Sequence, residues 1–283
     1  MNVGLIISGG GGRGAYQLGA LKALDLYFNK EDFKRVNASS VGFLNSYCYF
    51  TNNIDFAIDK WKNINTISKN VLTTSIIGSQ LFEESVNKIV YDKILCESIN
   101  FPLLDIRKRE LHYYNICEET DPVKIKSFLR ASITIQILNK AVKIDGYSYV
   151  DGATVETLPL YMMDNDLNLD YILCFYFDMN DKNLGDFISN SKVPVIPICF
   201  CDTTRGLNGI SLSAININNM LEKGYELTKA KLDKHFAQGI SNLDYIKKVI
   251  EEEKLTNTDD TKVFSTTTAL RYLNIIAKKI IKK

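Results

Sequence analysis

The chain is 283 residues long, with 46% hydrophobic and 24% charged residues, which gives ample apolar side chain for one sizeable core and no signature of disorder. Its 34 basic and 33 acidic residues leave a net charge of +1, so the broad positive field that sequence-independent nucleic-acid binding requires is missing. The longest apolar run, Val193 to Cys201 with two prolines inside it, falls short of the roughly 18–20 residues that span a bilayer, which argues against an integral membrane protein.

The first residues carry neither a basic leader nor an apolar segment ahead of a cleavage site. Cys48, Cys96, Cys117, Cys174, Cys199 and Cys201 lack framework spacing, so buried, reduced thiols and a cytoplasmic chain are expected. His112 and His235 are the only histidines. A metal site would need distant residues, and neither metal nor cofactor is expected.

Val3 to Ser8 reads as a strand that runs into glycines. From Gly14, the positions Leu18, Leu21, Leu24 and Phe28 form one face of a helix ending near Asn29. Phe33 to Ala38 is a second strand, and Val41 to Phe50, apolar on nearly every side, is a buried helix. Residues 54–64 and 80–98 read as helices, Leu111 to Cys117 as a strand, and Val123 to Ala131 as a helix opened by Asp121-Pro122. Strands return at Tyr147 to Val150, Tyr171 to Phe177 and Val193 to Phe200. This alternation predicts a three-layer α/β/α sandwich with a largely parallel central sheet. Beyond Asp202 the pattern is helical, over about 213–236, 241–254 and 266–282, with no linker. Residues 1–205 are therefore expected to form one domain, with 206–283 as a C-terminal helical extension packed on the same body.

Three motifs carry chemistry. Gly9-Gly10-Gly11-Gly12-Arg13-Gly14 lies between a strand and a helix, where glycines turn the backbone and aim several N–H groups at one anionic spot. It satisfies G-x-G-x-x-G, but the second strand does not end on the acidic residue that a dinucleotide ribose needs. Ala15-Tyr16 after Gly14 excludes a phosphate-binding P-loop. Ala38-Ser39-Ser40-Val41-Gly42 has the form of a nucleophile elbow, whose sharp turn tolerates only small residues two before and two after the serine. Ala38 and Gly42 flank Ser40 in that frame, whereas Ser39 would be flanked by Asn37 and Val41. Serine pairs in turns are more often helix caps. Asp151-Gly152-Ala153 follows the strand ending at Val150, and Asp-Gly alone is usually a turn. His235 lies in a lysine-rich helical stretch that reads as a solvated face, and His112 in or beside a strand. A serine hydrolase on this chain would more naturally take a carboxylate as its base.

Together, the strand, the Gly-Gly-Gly-x-Arg-Gly loop, the serine elbow about 26 residues later and Asp-Gly-Ala about 110 further on resemble the patatin-like phospholipases, a family of Ser-Asp acyl hydrolases. The likeness covers roughly residues 3 to 200. It is densest from Leu5 to Leu24, which reads like bacterial members. The resemblance implies that Ser40 is the nucleophile, Asp151 the base, and the Gly9–Gly14 loop the oxyanion hole, with Arg13 steadying that loop or the developing charge. The implied substrate is a fatty acyl ester, foremost a glycerophospholipid or lysophospholipid. Arg130-Ala131-Ser132 and Pro159 match segments flanking the aspartate. Departures are Ala38 for the first glycine of G-x-S-x-G, Ala153 for the second glycine of Asp-Gly-Gly, Thr157 for asparagine and Gln136 for proline. A strained backbone at Ala38 would cost about 1–3 kcal/mol.

Two other readings stand beside this one. A catalytically weak or silent lipid-binding member would keep the fold, and a dinucleotide-dependent oxidoreductase would leave the elbow and Asp-Gly-Ala without a role. The sequence leaves the oligomeric state open. Residues 262–283 carry six basic residues and no acid, with Leu270, Leu273, Ile276 and Ile280 at helical spacing. Such a helix ordinarily packs on its own domain, and it also suits peripheral contact with an anionic membrane.

Overall fold

The computed structural model describes residues 1–63, 86, 88–89, 93–134, 140–161, 163, 168–179, 181–201 and 214–256. The expected helix over 266–282 and Gln136 lie outside them, as does most of the expected helix over 80–98. Its described end, residues 93–98, is not helical.

The strands are β1 (Val3–Ile7), β2 (Phe33–Ala38), β3 (Ile99–Asp105), β4 (Glu110–Asn115), β5 (Val142–Ile144), β6 (Tyr147–Asp151), β7 (Tyr171–Tyr176) and β8 (Val195–Cys199). They form one mixed sheet in the order β5-β6-β3-β2-β1-β7-β8, with β4 also paired to β3. The run from β3 to β8 is parallel, and the pairings of β3 with β4, β3 with β6 and β5 with β6 are antiparallel. The helices are α1 (Gly14–Leu24), α2 (Val41–Phe50), α3 (Ile54–Asn63), α4 (Pro122–Ala131), α5 (Lys182–Asn190), α6 (Ala214–His235) and α7 (Leu243–Thr256).

Side chains alternate across β1. Val3, Leu5 and Ile7 face a large core shared with α1, α2, α3, α4, α6 and α7, while Ile6 faces a smaller one with Leu158, Met163, Leu169 and Leu184 of α5. Helices on both faces make the three-layer α/β/α architecture. In the large core, Phe43 of α2 stacks on Phe101 of β3 at 3.8 Å, which joins the helix after the elbow to the middle of the sheet.

Two expectations are corrected. Cys199 and Cys201 are joined as a disulfide, a local pairing for which framework spacing holds no cue; Cys48, Cys96, Cys117 and Cys174 are free. His235 is not on a solvated face. It is fully buried, with Nδ1 against Lys231 O at 2.8 Å and Nε2 3.5 Å from Glu253 of α7, because the lysines beside it on α6 reach Glu253 around the outside of the helix pair.

Helix α6 crosses α1 at backbone contact. A Cβ on Gly19 would lie 1.9 Å from Leu221 O, and one on Gly224 would lie 2.0 Å from Tyr16 O, so each helix presents a glycine to the other's backbone. Gly19→Val is expected to separate the pair at a cost of about 1–3 kcal/mol or more. Gly185→Ala, in α5 with nothing within 4 Å of its added Cβ, is expected to be neutral or slightly stabilising. Thermal denaturation of the two variants checks this, and equal melting temperatures would contradict it.

Candidate active site

Strand β3 explains how residues far apart in sequence come together. Val36 and Asn37 of β2 lie opposite Ile99 and Asn100, whereas Asp151, Val150 and Tyr149 of β6 lie opposite Leu103, Leu104 and Asp105. Strand β4 pairs along Asn100 to Asp105 and so overlaps both stretches. A strand has two edges, so β2 and β6 share the other one end to end, with their C-termini facing each other across Phe101 and Pro102. Proline has no N–H for a ladder, and here it stands where the partner changes. Gly152 sits on that gap, since a Cβ there would lie 2.4 Å from Pro102 O.

At this gap Ser40 Oγ donates to Asp151 Oδ2 at 2.6 Å. Ser40 caps α2 with φ 57° and ψ −133°, a region that costs a non-glycine residue about 1–3 kcal/mol. Ala38 is an ordinary strand residue, fully buried opposite Ile7, so the strain falls on the serine and not on Ala38. The elbow leaves no room at Gly42, where a Cβ would lie 2.7 Å from Ser8 O. Ser39 turns away, and its Oγ donates to Glu156 O at 3.1 Å.

Asp151 is 5% exposed. Burial pushes its carboxyl up to about 7, against the pull of the hydrogen bonds that Oδ2 accepts from Ser40 and Oδ1 from the Ala153 amide at 2.9 Å. Its own amide donates to Thr134 O at 2.9 Å, which ties it to the turn after Arg130-Ala131-Ser132. Neither histidine bonds to this pair: His112 Nδ1 meets Tyr149 Oη at 2.7 Å, and His235 lies between α6 and α7.

The glycine loop runs beside both groups. A Cβ on Gly9 would lie 3.2 Å from Ser40 Cβ and 3.1 Å from Ala153 Cβ. The Gly9 amide donates to Thr157 O at 2.7 Å. Gly10 leads into a single 3₁₀ turn, Gly11–Arg13, in which Gly11 takes φ +54°, and Gly14 opens α1. The Arg13 amide donates to Gly10 O at 3.1 Å and the Gly14 amide to Gly11 O. The Arg13 guanidinium lies 4.3 Å over the Phe177 ring. Burial lowers its pKa while Asp178 opposes that shift, so this side chain is pinned against the residues after β7.

Several polar side chains beneath the site were not singled out from the sequence. Asn37 Nδ2 donates to Pro159 O at 3.2 Å, and Asn100 Nδ2 donates to Asn37 Oδ1 at 3.3 Å. Gln17 and Asn45 bond to the ends of the glycine loop. The available cue was a carboxamide interrupting an otherwise apolar strand or helix face.

A strained serine bonded to a buried carboxylate, under a glycine loop at the C-terminal edge of an α/β/α sheet, is an arrangement suited to acyl transfer. The family model described as patatin-like phospholipase matches residues 5–164. The chain belongs to the patatin-like phospholipase family, a family of lipid hydrolases. A search of the curated proteins found no match. Among solved structures it is similar to VipD from Legionella pneumophila, at 12% identity and TM-score 0.49, covering 83% of this chain and 67% of that one. It is also similar to the heterodimeric complex ExoU–SpcU from the type III secretion system of Pseudomonas aeruginosa, at 13% identity and TM-score 0.39, covering 90% and 59%. The type III effector protein ExoU gives 11% identity and TM-score 0.39, covering 96% and 68%. The chain thus spans about three fifths to two thirds of the length of these structures.

The raised carboxyl predicts a pH-dependent stability effect. The unfolded chain loses the Asp151 proton near 3.8 and the fold near 7, so stability from the protonated form is complete below about 3.8 and is lost as pH rises through 7. Above that, the ionised group costs on the order of 4 kcal/mol. Asp151→Asn cannot ionise and is expected to be more stable than the wild type, by a margin that widens from acid to neutral pH and then levels. Denaturant unfolding at about pH 4.5 and about pH 8 measures the margin, and an equal margin at both would refute the shift.

Proposed function

We propose that this protein is a serine acyl hydrolase that cleaves fatty acyl esters of phospholipids or lysophospholipids through a Ser40–Asp151 dyad and an oxyanion hole in the Gly9–Gly14 loop. The observation that carries the proposal is the 2.6 Å hydrogen bond from Ser40 Oγ to Asp151 Oδ2, made by a residue held in a strained backbone conformation. Asp151 takes the Ser40 proton as Oγ attacks the ester carbonyl, then gives it to the departing alcohol. Water then attacks the acyl-serine, losing a proton to the same carboxylate, and Asp151 returns that proton to Ser40 Oγ as the fatty acid departs.

The carbonyl oxygen's developing charge is assigned to the amides of Gly10, Gly11 and Gly12, because those of Gly9, Arg13 and Gly14 are bonded within the fold. Removing one such donor typically costs about 10²–10³ in rate. Arg13, held on Phe177, steadies the loop. Exposed Val155, Tyr161 and Met179, on segments adjoining Asp151 and Phe177, support an apolar acyl substrate.

The accompanying proposals are a catalytic domain over 1–205, the extension 206–283 on the same body, and a cytoplasmic protein in peripheral contact with membranes. The six basic residues of 262–283 support anionic membranes. Deleting 266–283 is expected to weaken sedimentation with anionic vesicles and spare hydrolysis of a short soluble ester; undiminished vesicle binding would oppose it.

Ser40→Ala is expected to abolish hydrolysis and fluorophosphonate labelling, and Ser39→Ala to retain both. Asp151→Asn should lose most turnover while staying folded, and His112→Ala should stay active. In the wild type, kcat/KM should rise with pH to a plateau through a midpoint near 7, since the base works only when ionised. Labelling that survives Ser40→Ala, or full activity of Asp151→Asn, would refute the dyad.

A further inference from the structure

Both ends of the glycine loop are held by one pair of buried side-chain amides. At the entry, Gln17 Nε2 donates to Ser8 O at 2.6 Å. At the exit, Asn45 Nδ2 donates to Gly14 O at 3.0 Å, and the same group donates to Gln17 Oε1 at 3.0 Å. Gln17 is 0% exposed and Asn45 1%. The orientation of each amide follows from its partners: Ser8 O and Gly14 O can only accept, so both side chains must turn their NH₂ groups to the loop, and Gln17 Oε1 is left to receive Asn45.

The position of the pair is informative. Gln17 lies in the first turns of α1, which the loop opens into, and Asn45 lies in α2, the helix that Ser40 caps. Their neighbours Leu18, Leu21, Phe43 and Tyr47 are buried and mostly apolar, so packing alone would be met by further hydrocarbon. A buried amide is retained in such surroundings when it is hydrogen-bonded, and here both NH₂ groups and Gln17 Oε1 are engaged. The loop is composed almost wholly of glycine, with Gly11 exposed and in the left-handed region, and has few side chains with which to fix its own shape. Its shape must be fixed from outside.

We propose that Gln17 and Asn45 are positioning residues that lock the entry and exit of the oxyanion loop to the helix of the nucleophile. The spacing between the loop amides and Ser40 Oγ is thereby set before substrate arrives. This rests on the acyl-hydrolase reading above. An oxyanion donor acts only when held at hydrogen-bond distance from where the charge develops, and displacement by about 1 Å can cost about 10² in rate.

The test uses the full chain and a soluble short-chain ester. Gln17→Met keeps the volume and removes the amide, and Asn45→Ala removes the second amide. Each folded variant is expected to lower kcat about 10–100-fold with KM within about twofold, and the double variant to fall no further than the worse single. Affinity for a trifluoromethyl ketone, which adds Ser40 Oγ to give an oxyanion, should weaken in step with kcat/KM. Affinity for an unreactive ether analogue of the ester should not change. Asn45→Ser, with one donor in place of two, should fall between wild type and Asn45→Ala.

Wild-type kcat in the folded variants, a loss carried by KM, unchanged fluoroketone affinity, or failure of all three to fold would each overturn the clamp. Ser40→Ala run alongside separates the two ideas. Hydrolysis and fluorophosphonate labelling near wild type there overturn the Ser40–Asp151 reading, while their loss there with wild-type kcat in Gln17→Met and Asn45→Ala overturns only the clamp.

Discussion

The meeting of two strand ends on one edge of β3 is the constraint on which the rest of the site depends. Because β2 stops opposite Asn100 and β6 arrives opposite Leu103, the residues at and just past the two ends are forced into the same few ångströms. The chain leaving β2 turns sharply into α2 and presents Ser40, while the chain leaving β6 presents Asp151 and turns on Gly152 against Pro102. Mixed pairing is needed for this geometry. In an all-parallel sheet two C-terminal strand ends would lie side by side, never facing along one edge.

Two unfavourable terms are concentrated at that gap. The left-handed Ser40 stores backbone strain, and the buried Asp151 resists ionisation. Both are tolerated because the surroundings are rigid. Phe43 is stacked on Phe101, which also meets Phe128 of α4 edge to face at 5.4 Å. Below the elbow, Asn37 joins the end of β2 to Pro159 O on the segment after Asp151. The same burial that makes ionised Asp151 costly gives the carboxylate a pKa suited to taking a serine proton near neutrality.

What was legible in the sequence was what is local. Residues 33–38 and 41–50 match β2 and α2 end to end, because a strand, a small-residue turn and an apolar helix each show in short windows. The elbow frame depended only on the sizes of Ala38 and Gly42. Strand β3 was not legible: Pro102 interrupts it, and the reason a proline is tolerated there, the change of partner strand, is non-local. The short β5 and helix α5 were likewise passed over, the first having only three residues. The strain expected at Ala38 belongs to Ser40, since the turn begins after the strand's last paired residue. Gln17 and Asn45 were not legible as site residues, because a side-chain bond to a backbone oxygen 9 or 31 residues away leaves no periodicity.

The helices after the sheet are not a separate matter from the loop. Gly224 of α6 rests on the backbone of Tyr16, three residues past Arg13. The Tyr16 ring stacks on Phe200 at 6.0 Å and meets Phe177 edge to face at 6.4 Å, and Phe177 is the ring under the Arg13 guanidinium. The first turn of α1 is thus pressed from behind by α6 and bounded in front by the aromatic residues that hold Arg13. A glycine loop that supplies little stiffness of its own takes it from these contacts. The α1–α6 crossing therefore belongs to the support of the site even though no residue of α6 reaches Ser40 or Asp151 by a described hydrogen bond.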